Sequence, residues 1–151
     1  MIHAHVITVS DRCFSGERED LSGPLAAALL GGWSITVSNT KVIPDGADSV
    51  QSTIAESVRE GAQVILTTGG TGISPRDETP EGTLPLITKR LDGIESLIRQ
   101  AAKNAPAAPL SRALAGIVTV DGQDAFVVNA PGSRGGVTDT VNVIGPLLDH
   151  I

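Results

Sequence analysis

The sequence predicts an α/β layered fold built around a largely parallel sheet. Three observations carry this. From the start to about residue 68, apolar β-branched runs alternate with helix-forming runs across short connections. One run, "QVILTT" at 63–68, is apolar without alternation, as strands buried on both faces of parallel sheets are. An Asp121–Gly122 pair separates two further strand-like runs, which signals a small β-hairpin.

"AHVITVS" at 4–10 reads as a buried strand, because its residues are apolar and β-branched. Residues 11–19 are polar, contain Gly16 and read as a loop. A helix follows: Ser22 suits its cap, Pro24 its first turn, and Gly31–Gly32 its end. Residues 33–43 alternate enough for a strand. Pro44–Asp45–Gly46 turns the chain into a helix over 47–60, with Ala47, Val50, Ile54 and Val58 on one face. Gly61 ends it, and the strand at 63–68 comes next. Beyond Thr79, the expectation is a short helix from Pro80 to Arg90. A second spans Ile94 to Lys103, with Ile94, Leu97, Ile98 and Ala101 on one side. A proline-broken loop covers 105–114, the hairpin strands lie at 116–120 and 125–129, and a closing helix runs from Val137 to His150. Neither a repeat nor a linker interrupts the chain, so a single domain over 1–151 is expected.

Charge and composition exclude several classes. Eleven Lys and Arg against 17 Asp and Glu give a net charge of −6, which disfavours general nucleic-acid binding. Phe14, Trp33 and Phe126 are the only aromatics, too few for a base-stacking platform. Cys13 stands alone, so no internal disulfide forms. A leader-like start and an 18-residue apolar stretch are both lacking, and the expected location is cytoplasmic. His3, His5 and His150 lie near the chain ends without metal spacing and read as solvated. Cys13 has no histidine nearby in sequence and reads as a packed or loop residue.

The chemistry concentrates in "LTTGGTGISPRDETPE", residues 66–81. Gly69, Gly70, Thr71 and Gly72 follow a strand directly, at the sheet edge where open α/β folds bind ligands. The run lacks the lysine of a nucleotide P-loop and the spacing of the dinucleotide fingerprint. Two readings remain: a tight structural turn, or a nest of backbone amides around an anion. Asp77, Glu78 and Glu81 would repel a bare phosphate, and a divalent cation such as Mg²⁺ removes that conflict. Arg76 offers a bidentate fork to a phosphate. Asp77 also suits a helix cap, and Glu78 and Glu81 a solvated first turn. Asp45 carries the same choice between capping and metal binding. A second glycine loop, "NAPGSRGG" at 129–136, offers an anion or nucleotide site at a helix N-terminus, with Ser133 as its possible cap.

These segments, taken in order, resemble the MoaB/Mog family of molybdenum cofactor biosynthesis. "ITVSDRCFSGEREDLSGP", "VIPDGAD", "TTGGTGISPRDETPE", "PLSRALAG" and "VNAPGSRGG" together cover nearly the whole chain. The resemblance implies a three-layer α/β/α sandwich, a homotrimer, and Mg²⁺-dependent transfer of AMP from ATP to the terminal phosphate of molybdopterin. It makes Asp45 and Asp77 the catalytic, metal-linked carboxylates. Gly69, Gly70, Thr71 and Gly72, with Arg76, would hold molybdopterin. Ser111, Asn129, Pro131, Gly132 and Ser133 would hold substrate or nucleotide. Other molybdenum cofactor enzymes are candidate partners. Ala130 stands where many members carry a larger apolar residue, so a non-catalytic molybdopterin-binding or delivery module is the alternative.

Overall fold

The computed structural model describes residues 1–102 and 105–151. Its elements, in chain order, are β1 (Ile2–Val9), α1 (Asp11–Phe14), α2 (Ser22–Gly31), β2 (Ile35–Ile43), α3 (Ala47–Arg59) and β3 (Val64–Thr68). They continue with α4 (Thr79–Thr83), β4 (Ile87–Arg90), α5 (Asp92–Ala101), β5 (Ala115–Val120), β6 (Gln123–Ala130) and α6 (Arg134–Ile144). The strands form one six-stranded sheet in the order β2-β1-β3-β6-β5-β4. The first four are mutually parallel, and β5 and β4 close one side antiparallel.

Helices cover both faces, and neighbouring residues of one strand serve opposite layers. Ala4 and Val6 of β1 pack with Leu66 and Val128 against Ala26 and Leu30 of α2, Ile98 of α5 and Val137, Val141 and Ile144 of α6. Ile7 and Val9 pack with Ile65 and Val127 against Val50, Ile54 and Val58 of α3. That is the period-two geometry of a strand covered on both sides. Removing each such Val, Leu or Ile from water contributes about 1.5–3 kcal/mol, so both helix layers are firmly anchored.

Several expectations are corrected. Residues 11–14 are a single helical turn, because the Ser10 side chain accepts from the Cys13 N–H at 3.2 Å. Ser22 does not cap α2; Asp20 does, accepting from the Gly23 N–H at 3.0 Å, while Ser22 is the first helical residue. The helix expected over 80–90 stops at Thr83, and Ile87–Arg90 becomes an edge strand beside β5. On α5, Leu97 is half exposed and Ala101 is exposed, while Glu95 is buried instead. Arg90 grips that carboxylate and the Ala115 N–H donates to it, which offsets the cost of burying a charge. The expected end of this helix, Lys103, lies outside the described residues. The hairpin turns on Asp121 and Gly122, both with positive φ (50° and 78°) as a primed turn demands. It is no appendage, since β6 lies inside the sheet. The closing helix ends at Ile144, followed by a tighter turn over Gly145–His150.

His5 is also corrected. It is 4% exposed, beneath α3, with Nδ1 3.6 Å from the Glu60 carboxylate and no hydrogen bond among the described residues. Burial lowers its pKa from 6.5; Glu60 opposes this and Lys41 adds to it. A lowered folded value means the unfolded chain holds the proton more tightly. This contribution to stability is therefore full above the unfolded value near 6.5 and is lost as pH falls. Urea midpoints measured between pH 7.5 and 5.5 should fall for the wild type, and this slope should flatten in His5→Val. An unchanged slope in the variant would remove His5 as its source.

Candidate functional site

Because β1, β2, β3 and β6 run parallel, the turns after them share one rim of the sheet. Asp11 follows β1, Asp45 follows β2, the glycine turn follows β3 and "NAPGSRGG" overlaps the end of β6.

Gly69 and Gly70 have φ of 103° and 69°, a region that penalises side chains. A Cβ at Gly69 would strike the Val9 carbonyl, and one at Gly70 would strike Thr79 Oγ1. The turn's carbonyls are all held. Gly69 O accepts from Thr79 Oγ1 at 2.8 Å and Gly70 O from the Thr79 N–H at 3.0 Å. Thr71 O accepts from the Arg112 N–H at 2.8 Å, and Gly72 O from Arg112 Nε at 2.9 Å. In a trans peptide the C=O of one residue and the N–H of the next point opposite ways. Pinning the carbonyls of Gly69, Gly70 and Thr71 therefore turns the amides of Gly70, Thr71 and Gly72 away from Thr79 and Arg112. Among the described residues, no acceptor takes those three amides. Successive free amides of this kind are what an anion nest requires.

Both aspartates bracket the turn. Asp77 does not cap α4; its Oδ2 accepts from the Ser74 N–H at 3.0 Å and lies 2.8 Å from where a Gly72 Cβ would sit. Asp45 does not cap α3 either. Its Oδ2 accepts from the Asp11 N–H at 3.0 Å, and its own N–H donates to Asp11 Oδ1 at 3.0 Å. Asp45 Oδ1 is 3.4 Å from the Gly70 Cβ position. Burial raises the Asp45 pKa first of all, and the Asp11 and Asp77 charges add to it.

Arg76 gives its fork to a protein carboxylate. Nε and Nη2 pair with Asp11 at 3.1 and 3.2 Å, and Nη2 also donates to the Asp45 carbonyl at 2.9 Å. The Arg76 hydrogen bond holds the Asp11 carboxyl below its usual range. Glu78 is not merely solvated, since its Oε2 accepts from the Ala47 N–H at the start of α3. Glu81 pairs with Arg112 Nη1 at 2.6 Å, and that bond lowers its pKa.

The second loop packs against the first. Thr68 Oγ1 donates to Pro131 O at 2.9 Å, and Ser22 Oγ to Gly132 O at 2.8 Å. Ser133 caps α6 by accepting from the Gly136 N–H at 3.0 Å. Asn129 is fully buried; its side chain bonds to the Leu114 N–H and to the hydroxyls of Thr67 and Thr83, so it shapes the loop from within.

Two cavities open on this rim. One, about 670 Å³, is lined by Gly69, Gly132, Ser133, Cys13 and two exposed arginines, Arg18 and Arg134. The other, about 720 Å³, is lined by Thr71, Gly72, Asp77, Ser111, Ile98 and Pro131. Ser133 and Gly135 border both. The structure thus brings Asp45 and Asp77 to the glycine turn; Ser111, Pro131 and Asp77 line the second cavity, Gly132 the first and Ser133 both, while Asp45 lines neither.

Two residues escaped the sequence reading. Asp11 lies in the segment that reads as a polar loop, and Arg112 lies in the segment that reads as a proline-broken loop. Their partners lie 34 and 40 residues away, so only the quoted segments "VSDR" and "PLSR" hinted at them.

Residues 5–150 match the family model described as "Probable molybdopterin binding domain". The chain belongs to this family. The molybdopterin adenylyltransferase of Pyrococcus furiosus is 38% identical over 147 residues, covering 97% of this chain and 86% of that protein. The molybdenum cofactor synthesis protein cinnamon of Drosophila melanogaster is 38% identical over 151 residues, covering 96% of this chain and 24% of its own length. Several curated relatives are much longer, and the chain spans less than half of their length. Among solved structures, the molybdopterin biosynthesis Mog protein of Mycobacterium ulcerans superposes with a TM-score of 0.90 at 35% identity, covering 99% of this chain and 96% of that one. Among the described residues, no helix is long and apolar enough to cross a membrane.

The raised Asp45 pKa in this molybdopterin-binding domain has a consequence for stability. The folded state holds the proton more tightly than the unfolded chain, so ionised Asp45 costs stability above its folded pKa. That cost fades as pH falls through it toward the ordinary value of 3.8. Asp45→Asn should therefore raise the urea midpoint at pH 7, and the gain should shrink as the pH approaches 3.5. A variant less stable than wild type at pH 7 would show that the ionised form is favoured.

Proposed function

We propose that the protein is a molybdopterin adenylyltransferase of molybdenum cofactor biosynthesis, acting as one domain over 1–151. The observation that carries this is the glycine turn, whose carbonyls are all held by protein donors while three amides are left for an anion. Two carboxylates stand beside those amides, and two cavities flank the turn and share Ser133 and Gly135 of the second loop, which supports a reaction between two phosphorylated molecules. A phosphate oxygen of molybdopterin would attack the α-phosphorus of ATP. The bond from that phosphorus to the bridging oxygen then breaks, and pyrophosphate leaves with the electron pair. Such transfers depend on positioning and charge neutralisation more than on covalent help.

The residues divide this work. The amides of Gly70, Thr71 and Gly72 hold a phosphate, and Arg18 and Arg134 offer guanidinium forks to phosphates in the first cavity, which Glu19 and Asp20 also line. Ser111 and Ser133 present polar contacts at the second. Asp11 and Arg76 orient Asp45, and Ser74 orients Asp77. The donor set fits Mg²⁺: Asp45 and Asp77 offer hard oxygens, and Mg²⁺ takes one or two carboxylates together with substrate phosphates. Bound there, Mg²⁺ would neutralise phosphate charge beside the two carboxylates.

Purified protein given molybdopterin, ATP and Mg²⁺ should release pyrophosphate. Asp77→Asn should bind molybdopterin normally and lose turnover by about 100-fold or more, the scale of a lost electrostatic contact to the transition state. Tight molybdopterin binding without any pyrophosphate from the wild type would leave the non-catalytic module as the answer. We also propose a homotrimer, as the resemblance to the MoaB/Mog family implies. Light scattering should then give three times the 15.5 kDa chain mass; a monomer mass would reject it.

A further inference from the structure

We propose that Arg112 is a positioning residue for the proposed transfer: its guanidinium ties the Gly72 carbonyl, at the end of the glycine turn, to the Asp77 backbone and so sets the stance of Asp77. The assignment rests on that reading for its ligands and on geometry for its role. Arg112 makes contacts along one short loop. Its N–H takes Thr71 O, Nε takes Gly72 O at 2.9 Å, and Nη2 takes Asp77 O at 2.7 Å. The remaining nitrogen, Nη1, pairs with Glu81. One planar cation thus clamps both ends of the segment 72–77.

Backbone and side chain act separately. The Arg112 backbone N–H holds Thr71 O and turns the Gly72 amide outward, a contact that any substitution at 112 except proline keeps; the guanidinium acts on Asp77. Holding Gly72 O and Asp77 O fixes the separation between the residue that carries the carboxylate and the residue on which that carboxylate rests. Asp77 Oδ2 lies 2.8 Å from the Gly72 Cβ position and accepts from Ser74, so its orientation is set by the loop's shape. Ser111, which lines the second cavity, is the residue immediately before Arg112, so the same clamp ties that cavity wall to the turn.

An arginine is needed for this. Its fork reaches two carbonyls and a carboxylate in fixed directions, whereas a lysine ammonium is a single point charge. Lysine keeps the backbone N–H and can keep the Glu81 pair, but it cannot span Gly72 O and Asp77 O together.

The test compares Arg112→Lys, Arg112→Ala and Glu81→Gln in the full chain. Arg112→Lys should lower kcat for pyrophosphate release by about 10–100-fold, the range that displacement of a catalytic group by about an ångström produces. KM for molybdopterin should change little, and the Mg²⁺ concentration for half-maximal rate should rise. Mn²⁺ binding in the presence of ATP, followed through the free-ion EPR signal, should weaken in parallel; this readout needs no turnover. Glu81→Gln should stay close to wild type in both measurements. Wild-type kcat and Mn²⁺ binding in Arg112→Lys would overturn the proposal. So would an equal loss in Glu81→Gln, which would transfer the effect to the ion pair. Failure of both arginine variants to fold would make Arg112 a stability residue and also overturn it. If the wild type releases no pyrophosphate, the transferase reading fails by itself, and the Mn²⁺ titration still decides whether Arg112 sets the loop.

Discussion

The whole rim depends on the orientation of a few peptide planes after β3. A strand-end turn has as many carbonyls as amides, and carbonyl oxygens repel an anion. The turn becomes a cradle only if something takes the carbonyls. Here Thr79 and Arg112 do so, one from just beyond the loop and one from a distant segment. The positive φ of Gly69 and Gly70 makes the required path possible, and the Val9 carbonyl and Thr79 hydroxyl leave no space there for a side chain.

A second constraint is charge. Asp11, Asp45 and Asp77 converge on one edge; burial raises the Asp45 pKa first, and repulsion from Asp11 and Asp77 adds to it. Arg76 relieves part of it at Asp11, and Arg112 draws Glu81 aside. The repulsion left at Asp45 is a strain that a cation could relieve. Such stored electrostatic cost is common where a site is shaped for a ligand instead of for stability.

The layered core makes this convergence possible. Helices α2, α5 and α6 on one face and α3 on the other hold the four parallel strands in register. The turns between them are therefore fixed in space although they are separated by long stretches of chain. Thr68 and the Gly69 N–H, which donates to Ala130 O, then bind the second glycine loop to the first, and Ser22 ties it to α2.

The sequence by itself determined the α/β class, the strand–helix order up to residue 68, the faces of α3 and the location of the two glycine loops. Those properties follow from local periodicity and from glycine's backbone freedom, which act within a few residues. It also singled out Asp45 and Asp77 by their neighbours. What it left to the tertiary structure were matters of partnership. Residues 87–90 become a strand because β5 offers them an edge to pair with. Glu95 is buried because Arg90 and the Ala115 amide meet it there. His5 is buried because α3 covers it. Arg76 and Arg112 take their roles from carboxylates and carbonyls far away in the chain, and a charged side chain's partner is set by where the fold ends, not by what stands beside it in sequence.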